Sequence, residues 1–247
     1  SVSGGTIRIY DVTGTLASEA FDVKSSASNI SVTGGRLEIQ PKTGTVEADP
    51  AFYAIHSTAP LGNLTVNRID GPASVRMNTS LTVQANADII SGDLNANGFN
   101  LTVGGNFLIE AGGGYTSGLN TTTMNGTGVQ TLTINTPSAL SLNNFTLDKP
   151  SGSVLTLAGS QGVINVSSVF TLLAGTLNDG GKQLNISGNV YNSGLASGTG
   201  RLVLNGSSSQ TVDGGGTFGN IEVANTSATP VTLLNRMTVN GTVNFAV

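Results

Sequence analysis

Two stretches of this chain carry one pattern, G-x-L-N-x-x-G-x-x-L-x-x-x-G-N. It reads GDLNANGFNLTVGGN over 92–106 and GTLNDGGKQLNISGN over 175–189, so that Gly92 answers Gly175 and Asn106 answers Asn189. Other echoes keep nearly the same distance. Asn125-Gly126 with Gln130-Thr131 returns as Asn205-Gly206 with Gln210-Thr211, and Leu61-Gly62-Asn63-Leu64 is echoed by Phe218-Gly219-Asn220-Ile221. A long, slightly drifting period marks stacked repeats, units that bury their apolar faces against their neighbours. It also turns attention away from catalysis, because an active site is a singular place and this chain repeats its scaffold.

The repeated material reads as strand. Runs such as Thr6-Ile7-Arg8-Ile9, Ser80-Leu81-Thr82-Val83, Asn100-Leu101-Thr102-Val103 and Phe170-Thr171-Leu172 alternate apolar with polar residues, placing the apolar ones on a single face. Gly34-Gly35, Gly104-Gly105, Asp179-Gly180-Gly181 and Asn205-Gly206 punctuate them with residues that tolerate positive φ. Helical periodicity is almost absent. Two repeat regimes can be separated. Over 1–60, Thr6-Ile7-Arg8-Ile9 answers Arg36-Leu37-Glu38-Ile39 at a shift of 30. Phe21 to Ser25 answers Tyr53 to Ser57 at a shift of 32, and Asn29 to Val32 answers Asn63 to Val66 at a shift of 34. Over 61–247 a longer unit takes over, with copies near 61–142 and 143–217 and an incomplete one over 218–247. The expectation is one continuous solenoid, cut from a longer protein.

Composition narrows the architecture. Aromatics are 5% with no Trp, and Leu, Val, Ile and Ala supply the apolar content, as suits a thin repetitive interior. Charged residues are 10%, against roughly 25% in ordinary soluble domains. A β-propeller would show four strands per blade and a blade signature, and neither is evident. The fold expected is all-β, a right-handed parallel β-helix (a β-solenoid), with coils of roughly 20–25 residues. The alternative is a string of tandem β-sandwich domains, with which the longer repeat unit is just compatible in length.

The net charge of −4 and the absence of a basic stripe argue against nucleic acid and anionic membranes as partners. After position 77 four basic residues stand against seven acids. With no cysteine, disulfide frameworks and thiolate metal sites drop out together. No apolar run is long enough for a membrane-spanning helix.

LGNLTVNRIDGPASVRMNTSLTV (61–83), GTLNDGGKQLNISGNVYNSG (175–194), GTGRLVLNGSSSQTVDGGG (198–216) and FGNIEVANTS (218–227) resemble the repeats of very large surface proteins of Bacteroidota. Those proteins leave the cell by the type IX system, and some are similar to gliding-motility adhesins. Similar low-complexity β repeats occur in autotransporter passengers and filamentous-haemagglutinin-like proteins. The resemblance implies a secreted, cell-surface, outer-membrane-associated structural or adhesive role without enzymatic activity or cofactor. Its implied partners are neighbouring segments of the same polypeptide, glycans or surfaces, and the export and attachment machinery.

Within the motif, Gly92, Leu94, Asn95, Leu101 and Asn106 match Gly175, Leu177, Asn178, Leu184 and Asn189. The leucines are expected inside, and Asn106 and Asn189 are expected to build ladders of amides bonded between successive coils. The rival reading, a polysaccharide-cleaving or glycan-binding β-helix, needs two carboxyls roughly 5–10 Å apart. Asp88 with Asp93 is the candidate pair, with Glu47 and Asp49, or Asp11 and Asp22, as others. His56, the one histidine, lacks partners for a triad or zinc site and reads as a surface residue. Asp179 and Asp213 beside glycines read as turn residues, although calcium is conceivable there; the GGxGxD pattern is missing. Twelve N-x-S/T sequons follow from the Asn- and Thr-rich composition, and the outward Thr82, Thr102, Thr146, Thr156, Thr171 and Thr238 occur singly rather than as the T-x-T pairs of an ice-binding face.

Overall fold

Short apolar–polar alternation does produce strands here. In Leu81–Val83 and Leu140–Leu142 the two leucine or valine positions are buried and the central polar residue is exposed. The computed structural model describes residues 3–10, 19–25, 30–40, 52–68, 74–229 and 231–246, and every regular element among them is a β-strand. The strands stack in parallel, each on its equivalent one turn away, to form a β-solenoid; the tandem-sandwich alternative, whose sheets are antiparallel, is set aside. Two units divide the chain, 1–120 and 121–247. The division falls inside the repeat copy expected over 61–142.

In the first unit the described strands are β1 (Thr6–Ile9), β2 (Glu19–Val23), β3 (Arg36–Ile39), β4 (Phe52–Ser57) and β5 (Asn63–Asn67). They are followed by β6 (Ser74–Met77), β7 (Leu81–Val83), β8 (Ala87–Asn95), β9 (Leu101–Val103) and β10 (Phe107–Thr116). One row runs β1, β3, β5, β8, β10, all parallel. A second row, β2, β4, β6, ends on the C-terminal half of β8, and β7 pairs with β9. The shift of 30 between β1 and β3 is as the sequence alignment gives it. Two others differ. Asp22 lies opposite His56, a shift of 34 rather than 32, and β5 stacks on β3 at a shift of 27 rather than on Asn29 to Val32 at 34. A slip of two residues keeps every side chain on its own face, so alternation alone cannot choose between such registers.

The second unit is more regular. Its first two turns are β11 (Thr121–Met124), β12 (Val129–Ile134), β13 (Leu140–Leu142) and β14 (Asn144–Asp148), β15 (Val154–Ala158), β16 (Val163–Val166). The next two are β17 (Phe170–Ala174), β18 (Thr176–Asn178), β19 (Gln183–Ile186) and β20 (Val190–Asn192), β21 (Leu195–Ser197), β22 (Arg201–Leu204). The last two are β23 (Thr211–Asp213), β24 (Thr217–Phe218), β25 (Ile221–Val223) and β26 (Thr232–Leu233), β27 (Thr238–Val239), β28 (Val243–Phe245). Every third strand pairs in parallel, giving three faces and six turns among the described residues. The turns differ in length: the shortest carries Gln183 onto Arg201, and one of the longest carries Phe145 onto Phe170. The echo between Gly92 and Gly175 is therefore a super-period holding several turns.

Stacking in register sets like side chain on like inside the second unit. Ile164, Leu184, Leu202 and Ile221 form one buried column, and Phe145 sits on Phe170 with ring centroids 6.0 Å apart. Most constant positions of the motif now have a task. Leu94, Leu101, Leu177 and Leu184 are completely buried. Asn95 and Asn178 accept the N–H two residues on, at 2.8 and 3.0 Å, closing turns whose next residues have positive φ: Asn97 (54°) and Gly98 (83°), Gly180 (59°) and Gly181 (80°). Gly188 passes so close to the previous turn that a Cβ there would overlap the carbonyl oxygen of Ser168.

The expected Asn ladder takes a different form at the motif's last position. Asn189 Oδ1 accepts the backbone N–H of Thr211 at 2.9 Å, and the N–H of Asn106 goes to Asn86 Oδ1 at 2.9 Å. The contact runs from side chain to backbone across adjacent turns. An amide-to-amide rung occurs instead between Asn185 and Asn165, at 2.9 Å.

Two stability measurements test this packing. Leu101→Ala and Leu184→Ala are each expected to lose about 2–5 kcal/mol in urea titration; a negligible change at both removes the inward columns. Gly188→Ala is expected to destabilise by about 1–3 kcal/mol through overpacking. Gly162→Ala, where nothing lies within 4 Å of the new methyl, is expected to stay close to neutral.

Candidate functional site

The carboxylate pair of the first unit is placed by a bend in β8. The strand pairs with β5 around Asp88 (opposite Thr65) and with β6 around Asp93 (opposite Ser74). Register slips at Val66/Asn67 and at Ile109/Gly112 mark the corner between the two limbs. Both side chains are half-buried. Burial raises the pKa of each, offset for Asp88 by the charge of Arg36 and for Asp93 by a hydrogen bond donated by Thr116 Oγ1 at 3.1 Å. The fold seats Asp88 and Asp93 on different limbs of β8, with Arg36 near the first and Thr116 bonded to the second. Of the other candidates, Asp11, Glu47 and Asp49 lie outside the described residues. Asp22 stands between Lys24 Nζ at 2.8 Å and His56 Nδ1 at 3.3 Å. His56 is half-buried with Nδ1 facing the Asp22 carboxylate, rather than an open surface residue.

In the second unit the acids beside glycines are occupied by N–H donors. Asp179 is buried, and its Oδ1 accepts from Gly181 at 2.9 Å and from Gly200 of the next turn at 2.7 Å. Asp213 Oδ1 accepts from Gly214 at 2.7 Å and from the Asn235 amide. These oxygens tie turns together; among the described residues no group of three or more His, Asp or Glu side chains converges as a metal site. The echo of Asn-Gly with Gln-Thr has a similar job. Buried Gln130 and Gln210 each accept the N–H of the glycine four residues before, Gly126 at 3.1 Å and Gly206 at 2.9 Å. A second donor completes each: Lys149 Nζ at 2.8 Å on Gln130, and Asn225 Nδ2 at 2.7 Å on Gln210. Lys149 also reaches Gly126 O at 2.6 Å, and burial lowers its pKa.

A continuous polar chain crosses the outer side of the third face, the face formed by β13, β16, β19, β22, β25 and β28. Asn244 Nδ2 donates to Glu222 Oε2 at 3.0 Å, and Arg201 Nε lies 3.4 Å from the same oxygen. Arg201 Nη2 donates to Gln183 Oε1 at 2.6 Å, Gln183 Nε2 to Asn185 Oδ1 at 2.7 Å, and Asn185 Nδ2 to Asn165 Oδ1 at 2.9 Å. Beside this chain runs a groove of about 370 Å³, with Lys182, Gln183, Arg201, Asn220 and Thr242 on its walls. Residues 121–247 hold four basic side chains, of which Lys149 is buried and two line this groove. Counted by composition, these cations are too sparse to draw notice. The signal lies in the spacing, since Gln183 and Arg201 stand one turn of the solenoid apart and so become neighbours in space.

Two apolar cavities lie elsewhere. One, of about 430 Å³ in the first unit, has Ile7, Phe21, Val23, Leu37 and Leu61 in its lining. The other, of about 360 Å³, opens at the final turn between Leu204, Val212, Leu233, Val243 and Phe245, with Leu233 52% and Phe245 71% exposed. No helix among the described residues is long and apolar enough to cross a membrane.

The raised carboxyls give a test with a definite sign. Burial disfavours the Asp88 anion, so its stabilising contribution is complete below the unfolded value of 3.8 and is lost as pH rises through the higher folded value. Asp88→Asn is therefore expected to raise the melting temperature at pH 7 and to leave it unchanged below about pH 3; an equal shift at both pH values refutes the assignment. Compared with protein-family models, curated proteins and solved structures, the chain matches none, so its function rests on its own geometry.

Proposed function

We propose that this chain is a mechanical and surface-contact segment of a large secreted bacterial surface protein. Its work is to hold or present binding surface outside the cell. The observation that carries this reading is the in-register stacking of parallel turns, in which backbone hydrogen bonds and buried columns link each turn to its neighbours. Load applied along such a stack is shared by many equivalent bonds. The resemblance of 61–247 to Bacteroidota surface repeats supports export by the type IX route and attachment at the outer membrane. The same resemblance supports neighbouring segments of the same polypeptide as partners. The polar third face supports contact with glycans, the binding form of the rival hypothesis.

Single-molecule pulling on the whole chain tests the mechanical part. Extension is expected in resisted steps of about 60–90 Å, the contour length of a single turn at the reach of an extended backbone. Stretching like an unstructured chain, with no resisted step, defeats the proposal. Location is tested on intact producing cells, where antibody labelling and loss of the chain to external protease are expected; labelling that appears only after permeabilisation excludes a surface role.

A further inference from the structure

The groove on the third face has a repeat of its own. Val163, Gln183, Arg201, Asn220 and Thr242 occupy one equivalent position in five successive turns, as the strand registers require. Parallel strands lie about 4.8 Å apart, so the groove offers one side chain per rung along the solenoid axis and suits an elongated occupant rather than a compact one. Gly162, Gly181 and Gly200 line it without side chains, and Val163 is the one apolar side chain in its lining.

Its hydrogen-bonding capacity is mainly donor. Arg201 commits one N–H to Gln183 and turns Nε toward Glu222, leaving three of the five guanidinium N–H groups uncommitted. Lys182 commits one N–H to Gly159 O and keeps two. Glu222, the nearby acid, is already held by Arg201 and Asn244. Asn220 and Thr242 satisfy each other, with Thr242 N and Oγ1 donating to Asn220 Oδ1 at 3.0 and 3.1 Å, and form a firm polar wall. The strands beneath, β16, β19, β22 and β25, are paired on both sides, so no free strand edge exists there for a peptide backbone to join.

We propose that this groove binds an acidic polysaccharide chain, laid along the solenoid axis, with Arg201 and Lys182 engaging its carboxylate or sulfate groups. The inference deepens the surface-contact reading and rests on it for the biological setting. Its physical test is separate, because a chain that resists pulling can still fail to bind and a chain that binds can still lack mechanical strength.

Affinity electrophoresis of the full chain through gels containing polygalacturonate, dextran sulfate, neutral dextran or poly-L-glutamate decides it. Retardation is expected with polygalacturonate, dextran sulfate or both, the stronger arm naming the anion, and to a much smaller degree with dextran or polyglutamate. Arg201→Gln and Lys182→Gln are each expected to weaken binding about tenfold, the loss of one charge-assisted contact. Glu222→Gln, which removes the competing anion, is expected to strengthen binding, a gain that misfolding does not produce. Added salt is expected to weaken retardation because the groove is open to solvent. The proposal is overturned by no retardation with either acidic polysaccharide, by equal retardation with polyglutamate, or by folded Arg201 and Lys182 variants that bind as the parent does. If Arg201→Gln melts early, Lys182→Gln and Glu222→Gln carry the decision.

Discussion

The parallel hydrogen bonding between equivalent residues of successive turns is the constraint on which the rest depends. Once Leu184 is placed opposite Ile164 and Leu202, each inward side chain meets its counterpart above and below at one strand spacing. The interior is then a set of columns, and each column must accept its own repetition. Branched aliphatics do so readily, which accounts for the Leu, Val and Ile content. Large rings do so only when tilted, as Phe145 on Phe170 at 41°. The low aromatic fraction reflects that geometry, not a weak core: Leu101, Leu155, Leu172 and Leu184 are all fully buried.

Corners need a different solution, because the chain leaves the sheet there and its amides still require partners. Asparagine supplies a donor and an acceptor on one short side chain, so it can reach both neighbouring turns. Asn63 donates to Gly35 O at 2.9 Å and accepts from Asn86 N at 3.2 Å; Asn220 donates to Gly200 O at 2.8 Å and accepts from Thr242 N at 3.0 Å. Aspartate can only accept, and Asp179 is used accordingly, gathering two glycine N–H groups. This distribution explains why Asn and Gly dominate the connections. It also gives the sequons a structural reading, since the amide nitrogens of Asn63, Asn120, Asn185 and Asn225 are already engaged.

Much of this was legible in advance. The motif spacing, the alternation around Leu101 and Leu184 and the scarcity of helix signals together indicate a parallel solenoid, and a turn length near the observed one. Register was less legible, because a slip of two residues preserves the alternation: His56 aligns with Lys24 in sequence and lies opposite Asp22 in the fold. Recurrence marks Asn106 and Asn189 as ladder positions, yet it does not reveal whether an amide meets another amide or a backbone group. The groove was missed because its cations are scattered in the chain. Only the register gathers Lys182, Gln183 and Arg201, and composition counted over everything after position 77 dilutes them.

A solenoid of this kind separates scaffolding from recognition by direction. Inward and corner positions are fixed by the next turn, so they recur: Gly92 with Gly175, Leu94 with Leu177, Asn95 with Asn178. Outward positions meet solvent and are free to differ between copies. Phe99 and Asn100 of the first copy correspond to Lys182 and Gln183 of the second, and it is these two that line the polar groove. The two copies therefore share their turn geometry and their buried leucines but not their outward chemistry. Lys182 in place of Phe99 is enough to put a cation at this turn on the common frame. Selection for a ligand on such a frame can act one rung at a time, because an outward substitution leaves the columns beneath it intact.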